Sequence, residues 1–219
     1  MCRMTTLISH PHSIQATRRG RAALLVLTGP LFLAVAALLS LAERDALHAW
    51  GWTALDDHGV PWPSALELTS FGWLQSAAFA LTGMSLVLLA RRLRPALPRG
   101  RSATVALAGL AIAGAGMVAA AFPLDQPAGD PAQLGSWLGS WHAGLHVAGF
   151  AAAALGGIAG VIGTALATRR AAPGLSRAST LVAVVSLTSL ALAGAIGWYA
   201  FLLAFFSWTA ALAMRASER

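Results

Sequence analysis

Long apolar stretches alternate with short polar ones along the chain, and arginines mark where most of the stretches end. A helix needs roughly 20 residues to cross a bilayer core. Measured from the basic boundaries, the pattern predicts spans over about 22–41, 71–90, 102–121 and 143–167. Between Arg177 and Arg215 lie 37 residues, too many for one span and barely enough for two. We read two short helices there, 178–194 and 198–214, joined at Ala195-Ile196-Gly197. A single long tilted helix is the alternative, and it puts the C-terminus on the opposite side. The expected fold is an all-α polytopic bundle of six spans over residues 21–215, preceded by an N-terminal tail of residues 1–20.

Composition agrees: 57% of the 219 residues are hydrophobic and only 11% are charged, against about a quarter charged in soluble domains. The formal net charge of +7 would suggest a nucleic-acid partner if the basic residues lay on a soluble surface. They do not, and no nucleic-acid partner is expected. With both termini on one side of six spans, fourteen of the fifteen arginines and Glu218 fall on that side. Arg44 and the seven other acids fall on the far side. The +7 is therefore the sum of about +13 and −6. Because basic residues near span ends resist translocation, the arginine side is assigned to the cytoplasm, facing anionic lipid. Trp50, Trp52, Trp62, Trp73, Trp137, Trp141 and Trp198 mark the outer ends of spans, where an indole sits well at headgroup level. The expected location is a bacterial inner membrane, with lipids as the evident partners and any protein partner unknown. Span 1 has a basic lead like a signal peptide, but its apolar core exceeds the 7 to 15 residues typical of one, and retention is expected.

The cytoplasmic connections are short and hold Pro95, Pro98 and Pro173-Gly174. The outer loops are longer: Glu43 to Glu67, and Phe122 to Trp141. Unstructured loops of that length are uncommon unless they are functional or folded onto the protein. In the second, Asp130, Pro131 and Gln133 read as the start of a short helix that bends near Gly135 or Gly139. Gly149, Ala153, Gly156 and Gly160 share one face of span 4, a small-residue face suited to close packing in lipid.

His142 and His146, four residues apart, lie on that same face. Span lengths put His146 at the outer boundary of the apolar core, His142 one turn above it, Asp125 one turn past span 3, and Ser70 at the outer end of span 2. Two histidines at i and i+4 with a carboxylate can hold zinc and leave a position for water. Such a water can hydrolyse an ester or amide, with Ser70 as a polarising group. Against this, the pair lacks the glutamate of an HExxH motif, position 143 being alanine. Interface histidines also hydrogen-bond loop carbonyls or headgroups, and an acid after Phe122-Pro123 can cap the loop backbone. His48 and His58 are possible further ligands; His10 and His12 belong to the tail. No charge lies near the midplane of a span, which argues against an ion-coupled carrier.

The order of features resembles the bacterial six-span membrane proteins grouped as domain-of-unknown-function family 998. The likeness rests on Gly29-Pro30, on Pro61 and Pro63 leading to Ser70 and Gly72-Trp73, on Gly83, and on Phe122-Pro123-Leu124-Asp125 followed by a helix-4 histidine, His142 or His146. It implies a fold and a membrane location, with no activity attached. More distantly, an Asp, a Ser and a helical HxxxH at one membrane face resemble the zinc-dependent hydrolases of the alkaline ceramidase and adiponectin-receptor kind. Those have seven spans and three histidine ligands, against six and two here. Three functional classes remain open: a zinc hydrolase using Asp125, His142, His146 and Ser70; a structural or partner-binding subunit; and a lipid-binding or passive transport protein.

Overall fold

A computed structural model describes residues 11–50, 61–126, 138–191 and 194–217. All regular structure among these residues is helical, with no strand: α1 (Pro11–Ala42), α2 (Arg44–Ala49), a 3-10 turn (Ala65–Leu68), α3 (Trp73–Leu93), α4 (Arg101–Ala119), α5 (Trp141–Thr168), α6 (Pro173–Ala191) and α7 (Gly194–Ser217). Six segments are long and apolar enough to cross a membrane: Leu25–Ala42 of α1, then α3, α4, α5, α6 and Gly194–Ala216 of α7. The chain is a multi-pass membrane protein.

The six long helices close a ring in chain order, from α3 through α4, α5, α6 and α7 to α1, which returns to α3. Its centre is filled by aromatic rings. Phe32 of α1 meets Phe79 of α3 edge-on at 4.8 Å and Phe206 of α7 at 5.6 Å. Phe150 of α5 stacks on Trp198 of α7 at 3.9 Å. Gly29 explains how α7 comes so close to α1, since a Cβ there would lie 2.6 Å from Cβ of Phe206.

The most extensive pairing, α4 against α5, depends on missing side chains. A Cβ on Gly109 would meet the Gly160 nitrogen at 2.4 Å, one on Gly116 the Gly149 oxygen at 2.4 Å, and one on Gly156 the Ala113 nitrogen at 2.6 Å. The small-residue face of α5 is therefore packed backbone to backbone, the arrangement that close packing in lipid favours. Gly83 and Gly114 do the same between α3 and α4. By contrast α6 leaves Leu181, Val184, Val185 and Leu187 exposed, an apolar face suited to lipid.

The region 178–214 is two helices, so the single long helix is set aside. Ala195-Ile196-Gly197 lie inside α7, which starts at Gly194, whose φ of +79° suits glycine. The helix start expected at Pro131 and the bend at Gly135 lie outside the described residues, as does His58. α5 begins at Trp141 after a bend at Gly139, with Ser140 as its N-cap: the Ser140 hydroxyl accepts from the Ala143 N–H at 3.2 Å.

Gly116→Ala should cost on the order of 1–3 kcal/mol, because overpacking against backbone cannot be relieved by a rotamer change. Gly144→Ala, with open space around its Cβ position, should be neutral or slightly stabilising. Thermal unfolding of the two variants in the same detergent compares them, and equal effects would contradict the packing account.

Candidate functional site

At the end of the bundle opposite the arginine-rich turns, the chain folds inward. After the described start at Pro61, the 3-10 turn lays Leu66 into a buried cluster with Ala36, Leu39 and Leu47. Gly72 permits the next step: a Cβ there would fall 2.0 Å from the Glu67 carbonyl oxygen, so only glycine lets α3 start directly against the turn. Glu43, itself buried, accepts the Phe71 N–H at 3.2 Å and ties this turn to the end of α1. The Tyr199 hydroxyl donates to the Pro61 carbonyl at 3.2 Å and ties it to α7.

This fold places Glu67 inside the protein. Its side chain is 0% exposed, Oε1 accepts from the Ser76 hydroxyl of α3 at 3.1 Å, and Oε2 lies 3.3 Å from Nδ1 of His146 on α5. The same Nδ1–H donates to the Phe122 carbonyl at 2.8 Å. The imidazole thus aims its proton at the loop after α4, and Oε2 faces it without hydrogen-bond geometry, leaving that oxygen without a directed partner. Burial pushes the Glu67 carboxyl above the usual glutamate range, with His146 and Ser76 pulling it partly back.

One turn nearer the end of the bundle, a second pair forms. The Nδ1–H of His142 donates to the Pro123 carbonyl at 2.9 Å, and Nε2 lies 3.6 Å from Oδ1 of Asp125. The other Asp125 oxygen, Oδ2, accepts the Ser140 N–H at 2.6 Å. The Ser140 side chain is the main reason the carboxyl sits below the ordinary aspartate range; the Ser140 and Gly139 amides and the nearby imidazole add to it. An acid beside the first turn of α5 also suits the positive end of the helix dipole. Together the two histidines clamp consecutive carbonyls, Phe122 and Pro123, of the segment leaving α4.

Of the four side chains singled out from the sequence, three gather here. Asp125, His142 and His146 line the same end of α5, while Ser70 is exposed in the turn before α3 and has no hydrogen bond to them among the described residues. The histidines are divided between two acids. Among the described residues no group of three or more His, Cys, Asp or Glu side chains is close enough to hold a metal ion. His48 is exposed on α2. Sequence reasoning placed Glu67 among the outer acids and missed its role. The available signal was its setting, a single acid between Leu66 and Leu68 at the edge of a span.

Further buried polar atoms without a hydrogen-bond partner among the described residues are both amide atoms of Gln75, the indole N–H of Trp198 and the Ser186 hydroxyl. Gln75 adjoins Ser76 on the first turns of α3. Phe79, one turn on, meets the His146 ring edge-on at 6.0 Å. Trp198 stacks on Phe150, one turn beyond His146 on α5.

The two acids give opposite pH signatures. Asp125, with its carboxyl lowered, adds stability above the ordinary aspartate value that disappears as pH falls through its lower folded value. For Glu67 the carboxyl is raised, so the folded state holds the proton longer. Stability then falls as pH rises from its ordinary value of 4.5 through the raised value, and stays level above that. Thermal unfolding across this range should show the decline in the wild type and a flatter profile in Glu67→Gln. Asp125→Asn should keep the decline and lose the further change at more acid pH.

A family model described as protein of unknown function (DUF998) matches residues 63–217. No curated protein and no solved structure matches the chain. The match runs from Pro63, ahead of the 3-10 turn, to Ser217 at the end of α7, and takes in Glu67, Gln75, Asp125, His142, His146 and Trp198. Covering well over half of the 219 residues, it shows that the chain belongs to the DUF998 family.

Proposed function

We propose that this protein binds a polar molecule at an outward-facing site in the outer end of its bundle, with Glu67 and His146 as the binding centre. The observation that carries this reading is the Glu67 carboxylate, fully buried with one oxygen lacking a directed hydrogen bond. Burying an ionisable group without full compensation costs several kcal/mol, and such groups at membrane proteins mark functional sites by default. Asp125 and His142 serve as the clamp that sets the Phe122–Asp125 segment and, through it, the His146 ring. The arginine distribution supports a cytoplasmic location for both termini and an outer location for this end of the bundle, in a bacterial cell membrane.

A second reading, hydrolysis by a zinc-bound water, draws on one feature. His142 is oriented by an Nδ1–H bond to a carbonyl with Nε2 toward Asp125, which is how metal-binding imidazoles are commonly held. It needs a third ligand, for which the expectation from sequence was His146.

Native mass spectrometry of protein extracted in mild detergent should find a bound small molecule or lipid on the wild type and its loss in Glu67→Gln. Equal occupancy in the two proteins would sink the binding reading. Elemental analysis of the same preparation should give zinc well below one per chain. Stoichiometric zinc that disappears in His142→Ala would favour the hydrolase.

A further inference from the structure

We propose that the molecule bound beside Glu67 presents neutral hydroxyl groups, as a sugar or polyol does, and that Gln75 and Trp198 recognise it. This deepens the binding reading above and rests on it. The buried groups left without hydrogen bonds near this end of the bundle form a mixed set: an acceptor at Glu67 Oε2, an acceptor and a donor on the Gln75 amide, and a donor at Trp198 Nε1. A chain of contacts brings them to one region. Ser76, next to Gln75, bonds Glu67 at 3.1 Å; Glu67 faces His146 at 3.3 Å; and Phe150, one turn along α5 from His146, stacks on the Trp198 indole at 3.9 Å.

Each alternative ligand class leaves part of this set unmatched. An ammonium group satisfies the carboxylate and the Gln75 carbonyl but offers nothing to the indole N–H or the amide N–H. Phosphate accepts from those donors but confronts a buried carboxylate, and Arg44, the one arginine on this side of the sequence, is exposed on α2. A hydroxyl both donates and accepts, so several of them can satisfy every member. The surroundings are aromatic: the rings of Phe79, Phe150, Trp62 and Trp198 adjoin the polar groups.

Thermal unfolding of the full chain in phosphatidylcholine bicelles tests the proposal, with two probes. One is methyl β-glucoside, a free hydroxylated molecule; the other is a monoglucosyl diacylglycerol, which carries the same group on a lipid. At a concentration about a hundredfold above Kd, ligand linkage should raise the midpoint by roughly 5 °C or more. A rise with the glycolipid alone assigns the site to a lipid headgroup, and a rise with the free glucoside to a soluble molecule; either supports hydroxyl recognition. Gln75→Leu and Trp198→Phe keep the shape of the side chains and remove the unpaired atoms. Each should unfold at or above the wild-type midpoint without ligand and lose the ligand-induced rise. A rise that survives in both variants overturns the assignment, as does the absence of a rise with either probe. If a molecule of another class is found on the wild type and is lost in Glu67→Gln, the binding centre stands and the hydroxyl assignment falls. If nothing is found bound and neither probe acts, both fall.

Discussion

One buried carboxylate stands where the elements of the irregular end of this bundle meet. Glu67 stands on a 3-10 turn, takes a hydroxyl from α3 and faces an imidazole on α5, and that imidazole in turn holds the carbonyl that ends the connection from α4. Backbone outside a helix has unmet donors and acceptors, and close to lipid it survives only where protein satisfies them. The start of α3, the segment after α4 and the start of α5 meet that condition through Glu43, His142, His146 and Asp125.

That arrangement in turn needs α4 and α5 at a fixed separation and register. The Phe122 and Pro123 carbonyls follow α4 directly, and the imidazoles that bind them stand on the first two turns of α5. A slip of one helix along the other would move each carbonyl away from its imidazole by 1.5 Å per residue. The glycines that let the two backbones touch are therefore also what sets the hydrogen bonds at the end of the bundle. In lipid, where apolar contact alone does not favour one neighbour over another, close backbone approach supplies that selection.

Most of the fold was legible in the sequence because it follows from lengths and charges: arginines bracket the spans, and roughly 20 apolar residues fill a bilayer core. The packed face of α5 was legible too, from glycine and alanine at helical spacing. The break before α7 was harder to locate, since Gly194 and Gly197 both offer a place to reverse and only tertiary packing selects between them. In the candidate site, helical periodicity brought His142 and His146 to one face, and the FPLD segment brought Asp125 beside them. Periodicity says nothing of what faces each ring, however. The two imidazoles stand one turn apart, and each met a different acid. Glu67 was not legible as a partner because it reaches His146 through a turn whose course depends on Gly72 and on contacts with Glu43 and Tyr199, all set by distant parts of the chain. The backbone that buries Glu67 leaves Ser70 exposed.

The two acids at this end of the bundle show how a shared location can carry two different roles. Asp125 is partly exposed, and Ser140, through its side chain first and its amide second, holds it in the charged form. Its position next to the first turn of α5 needs nothing further, since the charge is met by backbone donors and the helix dipole. Among the described residues Glu67 takes a hydroxyl on one oxygen and faces an off-axis imidazole with the other, and burial raises its carboxyl. An acid whose surroundings complete its hydrogen bonds is stable as it stands. Opposed environments of this kind separate the roles of paired carboxylates in known sites. By that criterion Asp125 is the acid whose hydrogen bonds are met by its surroundings, and Glu67 the one with an oxygen left without a directed hydrogen bond.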